Sequence, residues 1–284
     1  MSDLAQAAVH AGHVFDQAIA LQAAPGRPGV YKGTPSQAYW NMVGPFGGIT
    51  AATALQAVLR HPDLLGEPLS LTVNYAAALE AGEFEVTALP VRTNRSTQHW
   101  TVTLTQAGAD GTHQVLLTAT AVTAARRSTW SQNDRPMPTV PPPESVVRTS
   151  LFKGVQWTER YEMRPVHGML PSVLDDSGDH SLTQLWLRDT PPRPLDFAAL
   201  AAMADAFYPR VWLRRARLVP AGTVSMTIYF HAGSTELAEC GEGYLLGQAE
   251  AQAFRNGFFD QSALLWSEAG VLLASTHQIV YYKE

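Results

Sequence analysis

The chain has 284 residues, 46% hydrophobic and 16% charged, with 20 Lys and Arg against 25 Asp and Glu for a net charge of −5. That is enough apolar material for a buried core, which excludes a disordered chain, and the acidic balance removes the basic surface on which nucleic-acid binding relies. No apolar run approaches the roughly 18 residues of a membrane helix, a single Cys240 rules out an intrachain disulfide framework, and a start containing Asp3 does not read as a secretory leader. A cytoplasmic location with no membrane partner is therefore expected.

In chain order, residues 29–43 can supply a leading strand, and residues 47–59 read as an apolar helix, opened by Gly47-Gly48 and closed before Pro62. Four Val-, Thr- and Leu-rich strands follow at 69–75, 83–92, 98–107 and 114–123, separated by Gly and Asx turns such as Ala109-Asp110-Gly111. Residues 126–144 carry five prolines, Pro136, Pro138, Pro141, Pro142 and Pro143, and cannot continue a helix or an inner strand. The same order then returns, with strands at 160–165 and 181–188, a helix at 197–208, and strands at 223–231, 244–254, 260–267 and 271–282. Val115-Leu116-Leu117-Thr118-Ala119-Thr120 also resembles Val271-Leu272-Leu273-Ala274-Ser275-Thr276. A period of roughly 155 residues is too long for a solenoid and implies duplication of a whole domain. The expected organisation is 1–125, a Pro-rich linker at 126–150, and 151–284. The fold class is α+β: two antiparallel sheets, each curled around one long apolar helix, a double hotdog.

The second helix has one charged side chain, Asp205, on the flank of its apolar stripe. A buried carboxylate is costly unless paired, hydrogen-bonded or protonated, and a raised pKa suits a general base. A structural carboxylate capping a turn is the competing explanation. The first helix has no ionisable residue, so the fold does not require one there, and one site per chain follows. Gln278 shares a strand face with Leu272, Ala274 and Val280, which puts an amide on an apolar surface where the first copy has Val122.

The sequence resembles the bacterial type II acyl-CoA thioesterases, the double-hotdog branch of the thioesterase superfamily. The resemblance spans nearly the whole chain. It is carried by Tyr39-Trp40, Gly44-Pro45-Phe46-Gly47-Gly48, Pro68-Leu69-Ser70-Leu71-Thr72-Val73-Asn74-Tyr75 and Arg92-Thr93-Asn94-Arg95-Ser96 in the first half. In the second half it is carried by Met203-Ala204-Asp205, by the strand from Thr223 to His231, and by Leu273-Ala274-Ser275-Thr276-His277-Gln278. It implies a catalytic trio of Asp205, Thr223 and Gln278, acting on an acyl-CoA substrate without a cofactor. Alternation assigns Thr223 to the face opposite Val224, Met226, Ile228 and Phe230, so its role depends on the strand start escaping that parity. The Gly47-Gly48 helix start could receive the thioester oxygen or a phosphate, or could simply allow close packing. Trp40 is expected to line an acyl pocket, and Arg92, Arg95, Arg126 and Arg127 are candidates for the coenzyme A phosphates.

Other chemistries find no support. There is no Gly-x-Ser-x-Gly elbow, and Cys240 lies among acids that oppose thiolate formation, so it reads as a turn residue. His10 and His13 lack neighbouring ligands, so no metal is expected. Gly241-Glu242-Gly243 reads as a hairpin turn. Two other functions stay open, a hotdog hydratase or dehydratase and a noncatalytic acyl-thioester binder. Free sheet edges make a homodimer a further expectation.

Overall fold

The computed structural model describes residues 12–108, 111–149 and 154–284. Asp3, His10, part of the turn expected at 109–111 and the end of the Pro-rich segment lie outside the described residues.

The first half begins with a short helix α1 (Val14–Ala18) and strands β1 (Gln22–Ala23) and β2 (Val30–Gly33). The long helix α2 (Gly47–Leu59) follows, then strands β3 (Glu67–Tyr75), β4 (Phe84–Thr93), β5 (Thr97–Ala107) and β6 (His113–Ala124). The second half runs through β7 (Tyr161–His167), β8 (Thr183–Asp189), α3 (Phe197–Met203), α4 (Arg210–Arg215), β9 (Ala221–Phe230), α5 (Ser234–Cys240), β10 (Leu245–Glu250), β11 (Phe254–Arg255), β12 (Phe258–Ser267) and β13 (Leu272–Tyr282).

The two expected sheets are joined edge to edge into one antiparallel sheet, in the order β1-β2-β4-β5-β6-β3-β9-β13-β12-β10-β8-β7, with β11 added on β12. The order is mirrored about the β3–β9 seam: moving outward, β3, β6, β5, β4 and β2 on one side correspond to β9, β13, β12, β10 and β8 on the other. The seam strands are the first after each main helix, and they register as Thr72 opposite Thr227 and Asn74 opposite Ser225. Arg126 locks the seam, donating to the carbonyls of Pro68, Phe230 and His231 and pairing with Glu67.

The helices α2 and α3 share the core with the sheet and pack on each other through small residues. Ala51, Ala52, Ala198, Ala199 and Ala202 are buried in a single core that spans both halves. A Cβ on Gly48 would lie 2.4 Å from the Ala202 carbonyl oxygen, so only glycine permits this helix separation.

Three local expectations need correction. The helix expected at 197–208 ends at Met203, because the chain tightens into turn bonds from Asp205 N–H to Ala202 O and from Phe207 N–H to Asp205 O before reaching Pro209. Cys240 is the last residue of α5, and Gly241-Glu242-Gly243 connects that helix to β10, so it is a helix-to-strand turn and not a hairpin. The Pro-rich segment is a packed strap: Trp186 donates to Pro141 O, while Met137, Val140 and Val146 lie against the cluster of Trp186, Tyr244 and Leu246.

Candidate active site

Asp205 sits in the turn after α3, and that position directs its carboxylate at the start of α2. Gln278 Nε2 donates to Asp205 Oδ1 at 2.9 Å, and the Gly48 backbone N–H also donates to the carboxylate. A helix N-terminus favours an anion through its unpaired N–H groups and its dipole. Gly47 lets the carboxylate come close, since a Cβ there would lie 2.7 Å from Asp205 Oδ2 and push it aside. Of the two roles open for Gly47-Gly48, close packing is therefore present, and the anion held at the helix start is Asp205 itself. Burial is the main influence on this carboxyl and raises its pKa from 3.8 to about 7, against the opposing hydrogen bonds from Gln278 and Gly48.

Gln278 projects from β13 on the face that alternation assigns, between buried Thr276 and Val280. Its Oε1 accepts from Thr223 Oγ1 at 3.3 Å, and its Nε2 also lies 3.3 Å from Met226 Sδ. Thr223 reaches the inner face because the register between β9 and β13 shifts: Ser225 stands opposite Ile279, but Thr223 stands opposite Val280. One residue, Val224, is bulged out and is 40% exposed, although simple parity places it with Met226. The structure thus brings Asp205, Gln278 and Thr223 into one hydrogen-bonded chain.

The trio faces a cavity of about 610 Å³ that lies between the two halves. Leu79, Leu104, Leu116 and Leu117 line it from the first half, and Phe207, Trp212 and Val280 from the second. Tyr75 also faces it, donating to Gly47 O at 2.9 Å; burial and the Asp205 charge push its phenol pKa well up. Trp40 does not line this cavity. Its carbonyl accepts from Trp157 N–H, and Trp157, stacked on Phe46 with ring centroids 4.2 Å apart, takes the lining position.

The arginines expected to meet the coenzyme A phosphates do not line this cavity. Arg95 stands exposed in the β4–β5 turn, at the far end of β5 from Leu104, and Arg92 bonds Asn94 beside it. Arg126 is committed to the seam, Arg127 is exposed beyond β6, and no Lys, Arg or His lines the cavity among the described residues. Burial and the nearby Glu239 and Glu268 raise the Cys240 thiol pKa to about 11, which opposes thiolate formation.

Tyr75, Trp157 and Gln261 were not singled out from the sequence. Gln261 was findable, because it alternates with Phe259, Ala263 and Leu265 on the apolar face of β12, the same signal that marks Gln278. Tyr75 and Trp157 carry no such mark, since an aromatic in a core strand or turn reads as packing.

Residues 132–282 match the model of the acyl-CoA thioesterase C-terminal domain, and residues 36–124 match that of the N-terminal domain. No curated protein matches the chain. Among solved structures, a conserved protein of unknown function with a hot dog fold from Alicyclobacillus acidocaldarius is 47% identical over 96% of this chain and 98% of its own, with a TM-score of 0.88. A thioesterase II from Thermobifida fusca is 19% identical, with a TM-score of 0.78, and the acyl-CoA thioesterase II TesB2 from Mycobacterium marinum is 19% identical, with a TM-score of 0.74. Each covers 95% of this chain and 98% of its own. The shared fold is the hotdog.

Proposed function

The chain belongs to the acyl-CoA thioesterase family, and we propose that it hydrolyses an acyl-CoA to the free acid and coenzyme A using a water molecule activated by Asp205. The observation that carries this reading is the hydrogen-bonded chain of Asp205, Gln278 and Thr223 on the wall of an apolar cavity. We read residues 1–125 and 151–284 as the two hotdog units of a double hotdog, with 126–150 as the segment that links them in sequence; the mirrored strand order supports this division.

A carboxyl with a pKa of about 7 is half ionised near neutrality and strong enough as a base to take a proton from water. Gln278 Oε1 and Thr223 Oγ1 offer acceptors that turn the water's lone pair toward the thioester carbon. In the attack, a water proton passes to Asp205, the new C–O bond forms, and the carbonyl π pair moves onto oxygen. The Gly47 N–H at the start of α2 is the donor we assign to that oxyanion. Collapse restores the carbonyl, breaks the C–S bond and returns the proton to the departing sulfur. A hydratase of this fold would pair a histidine with an acid, and no histidine lines the cavity among the described residues.

The test is thiol release from a series of acyl-CoA thioesters by the purified protein and by Asp205→Asn. Loss of at least about 100-fold in kcat with the fold intact is expected. Retention of most activity in the folded variant rejects the mechanism, and absence of thiol release from every thioester by the unmodified protein rejects the function.

A further inference from the structure

Arg210 is the first residue of α4, is 0% exposed and has no carboxylate beside it among the described residues. Taking a guanidinium out of water is costly, and burial pushes its pKa down to about 9, so it is still a cation at neutral pH. Hydrogen bonds to uncharged oxygens offset that cost. Nε and Nη2 donate to the Tyr208 carbonyl at 2.9 and 2.5 Å. Nη1 donates to Ser181 O at 3.0 Å, to Thr183 Oγ1 at 2.8 Å and to Ala249 O at 3.4 Å. Thr183 and Ala249 stand opposite each other in the β8–β10 register, so the planar fork ties the Tyr208 carbonyl to one end of that strand pair.

What it ties down is the turn that carries Asp205. Residues 204–209 lie between the end of α3 at Met203 and the start of α4 at Arg210. Their backbone bonds are local, such as Asp205 N–H to Ala202 O and Phe207 N–H to Asp205 O. Phe207 supplies a second attachment to the same strands. A Cβ on Gly247 of β10, two residues from Ala249, would lie 2.8 Å from the Phe207 ring, so the ring fills a slot that glycine leaves. The Arg210 guanidinium lies 5.9 Å from the centre of that ring. The carboxylate of Asp205 is thus held by Gly48 and Gln278, and its backbone is held through Phe207 and Tyr208 to β8 and β10.

Resting on the hydrolase reading, we propose that Arg210 is a positioning residue for the reaction, whose fork holds the 205–209 turn against β8 and β10 and so keeps the Asp205 carboxylate at Gln278 and the start of α2. A point charge is no substitute, since a single ammonium cannot reach the Tyr208 carbonyl and the Thr183–Ala249 pair together. A displacement of about 1 Å at the reacting atoms is enough to slow a reaction by about 100-fold. Loosening the turn also admits water to a carboxyl whose pKa is raised by burial, so its titration should move down. The other ionisable groups that feel the Asp205 charge, Tyr75 on β3 and Tyr161 on β7, are phenols pushed well up and stay neutral across that range.

The test uses Arg210→Lys and Arg210→Met. The Asp205 titration is followed by carbon NMR on protein isotopically labelled at the aspartate carboxyls, its signal assigned by its absence in Asp205→Asn, and kcat is measured by thiol release. In both variants the titration midpoint should fall by about one pH unit or more and kcat by about 10- to 100-fold, with the kcat/KM profile moving down in pH alongside. The NMR titration needs no turnover, so a downward shift in a protein that hydrolyses no thioester leaves the hold on Asp205 standing and rejects the hydrolase reading instead. A midpoint that stays or rises in a folded variant overturns the proposal, because a residue of the fold alone lowers stability without changing the setting of Asp205. A lowered midpoint with parental kcat in a hydrolysing protein overturns it as well. Failure of both variants to fold, read by circular dichroism, makes Arg210 a residue of the fold and not of the site, and overturns it too.

Discussion

If Asp205 is a base held ready by burial, its removal should stabilise the protein, and the gain should depend on pH. The carboxyl titrates at 3.8 when free and at about 7 in the fold. At 1.36 kcal/mol per pH unit, ionising it in the native state costs about 4 kcal/mol. Below pH 3.8 the group is protonated in both states and contributes nothing. Between 3.8 and about 7 the native state holds a proton that the unfolded chain has released, so stability falls as pH rises, and above about 7 the full cost is present. Asparagine removes that ionisation, although its neutral amide oxygen accepts from Gln278 and Gly48 more weakly than the carboxylate does. A net gain of about 1–4 kcal/mol at pH 8 is therefore expected for Asp205→Asn, vanishing near pH 4. At about 2–4 °C per kcal/mol for a chain of this size, that is a rise of several degrees in Tm. Asp189, buried and pushed up to about 8, titrates in both proteins and cancels in the difference. Paired calorimetric scans from pH 4 to 8 measure the effect. A variant no more stable than its parent at pH 8, or equally stabilised at both ends, would refute the claim that burial drives this carboxyl.

The pH dependence of turnover should follow the same group in the opposite sense: kcat/KM rises with pH and levels off above about 7, as the base becomes ionised, and a profile still flat at pH 5 argues against Asp205 as the base. Gly48→Ala inserts a methyl 2.4 Å from the Ala202 carbonyl oxygen, so thermal unfolding should show a loss of about 1–3 kcal/mol, and thiol release should fall as α2 moves from Asp205. Arg126→Ala deprives three backbone carbonyls of a charged donor at the seam and should cost about 1–3 kcal/mol in denaturant unfolding, while kcat is preserved because Arg126 lies off the cavity. Alkylation of Cys240 at pH 7 should be slow and should leave thiol release unchanged, since its thiol pKa is about 11 and it does not line the cavity.

Asp205 and Gln278 were legible in the sequence for one reason: each is a polar group where secondary-structure periodicity demands an apolar one, and burying such a group without purpose is expensive. The same rule applied to β12 would have found Gln261. Alternation was misleading at Val224, where a bulge displaces one residue and restores Thr223 to the inner face; nothing in a run of Thr, Val, Ser and Met marks which residue an unequal strand pairing will push out. The seam role of Arg126 was hidden for a different reason. A guanidinium serves a phosphate or a row of carbonyls equally well, and only the meeting of β3 with β9 directs Arg126 to the latter.

The joined sheet also explains why one fold with two similar halves needs only one carboxylate. The start of α2 belongs to the first half, and the turn after α3 belongs to the second; Asp205 is held where they meet, by Gly48 from one side and by Gln278 from the other. A carboxylate at the matching end of α2 would lie beyond Leu59, where the chain turns through Arg60, His61 and Pro62 toward the β4–β5 turn, with Gln98 bonding Leu65 and Asp63. That end is closed by its own hydrogen bonds and does not face the cavity. The site is thus a product of the contact between the halves, and changes that shift α2 against α3 should lower kcat even when they leave Asp205, Gln278 and Thr223 untouched.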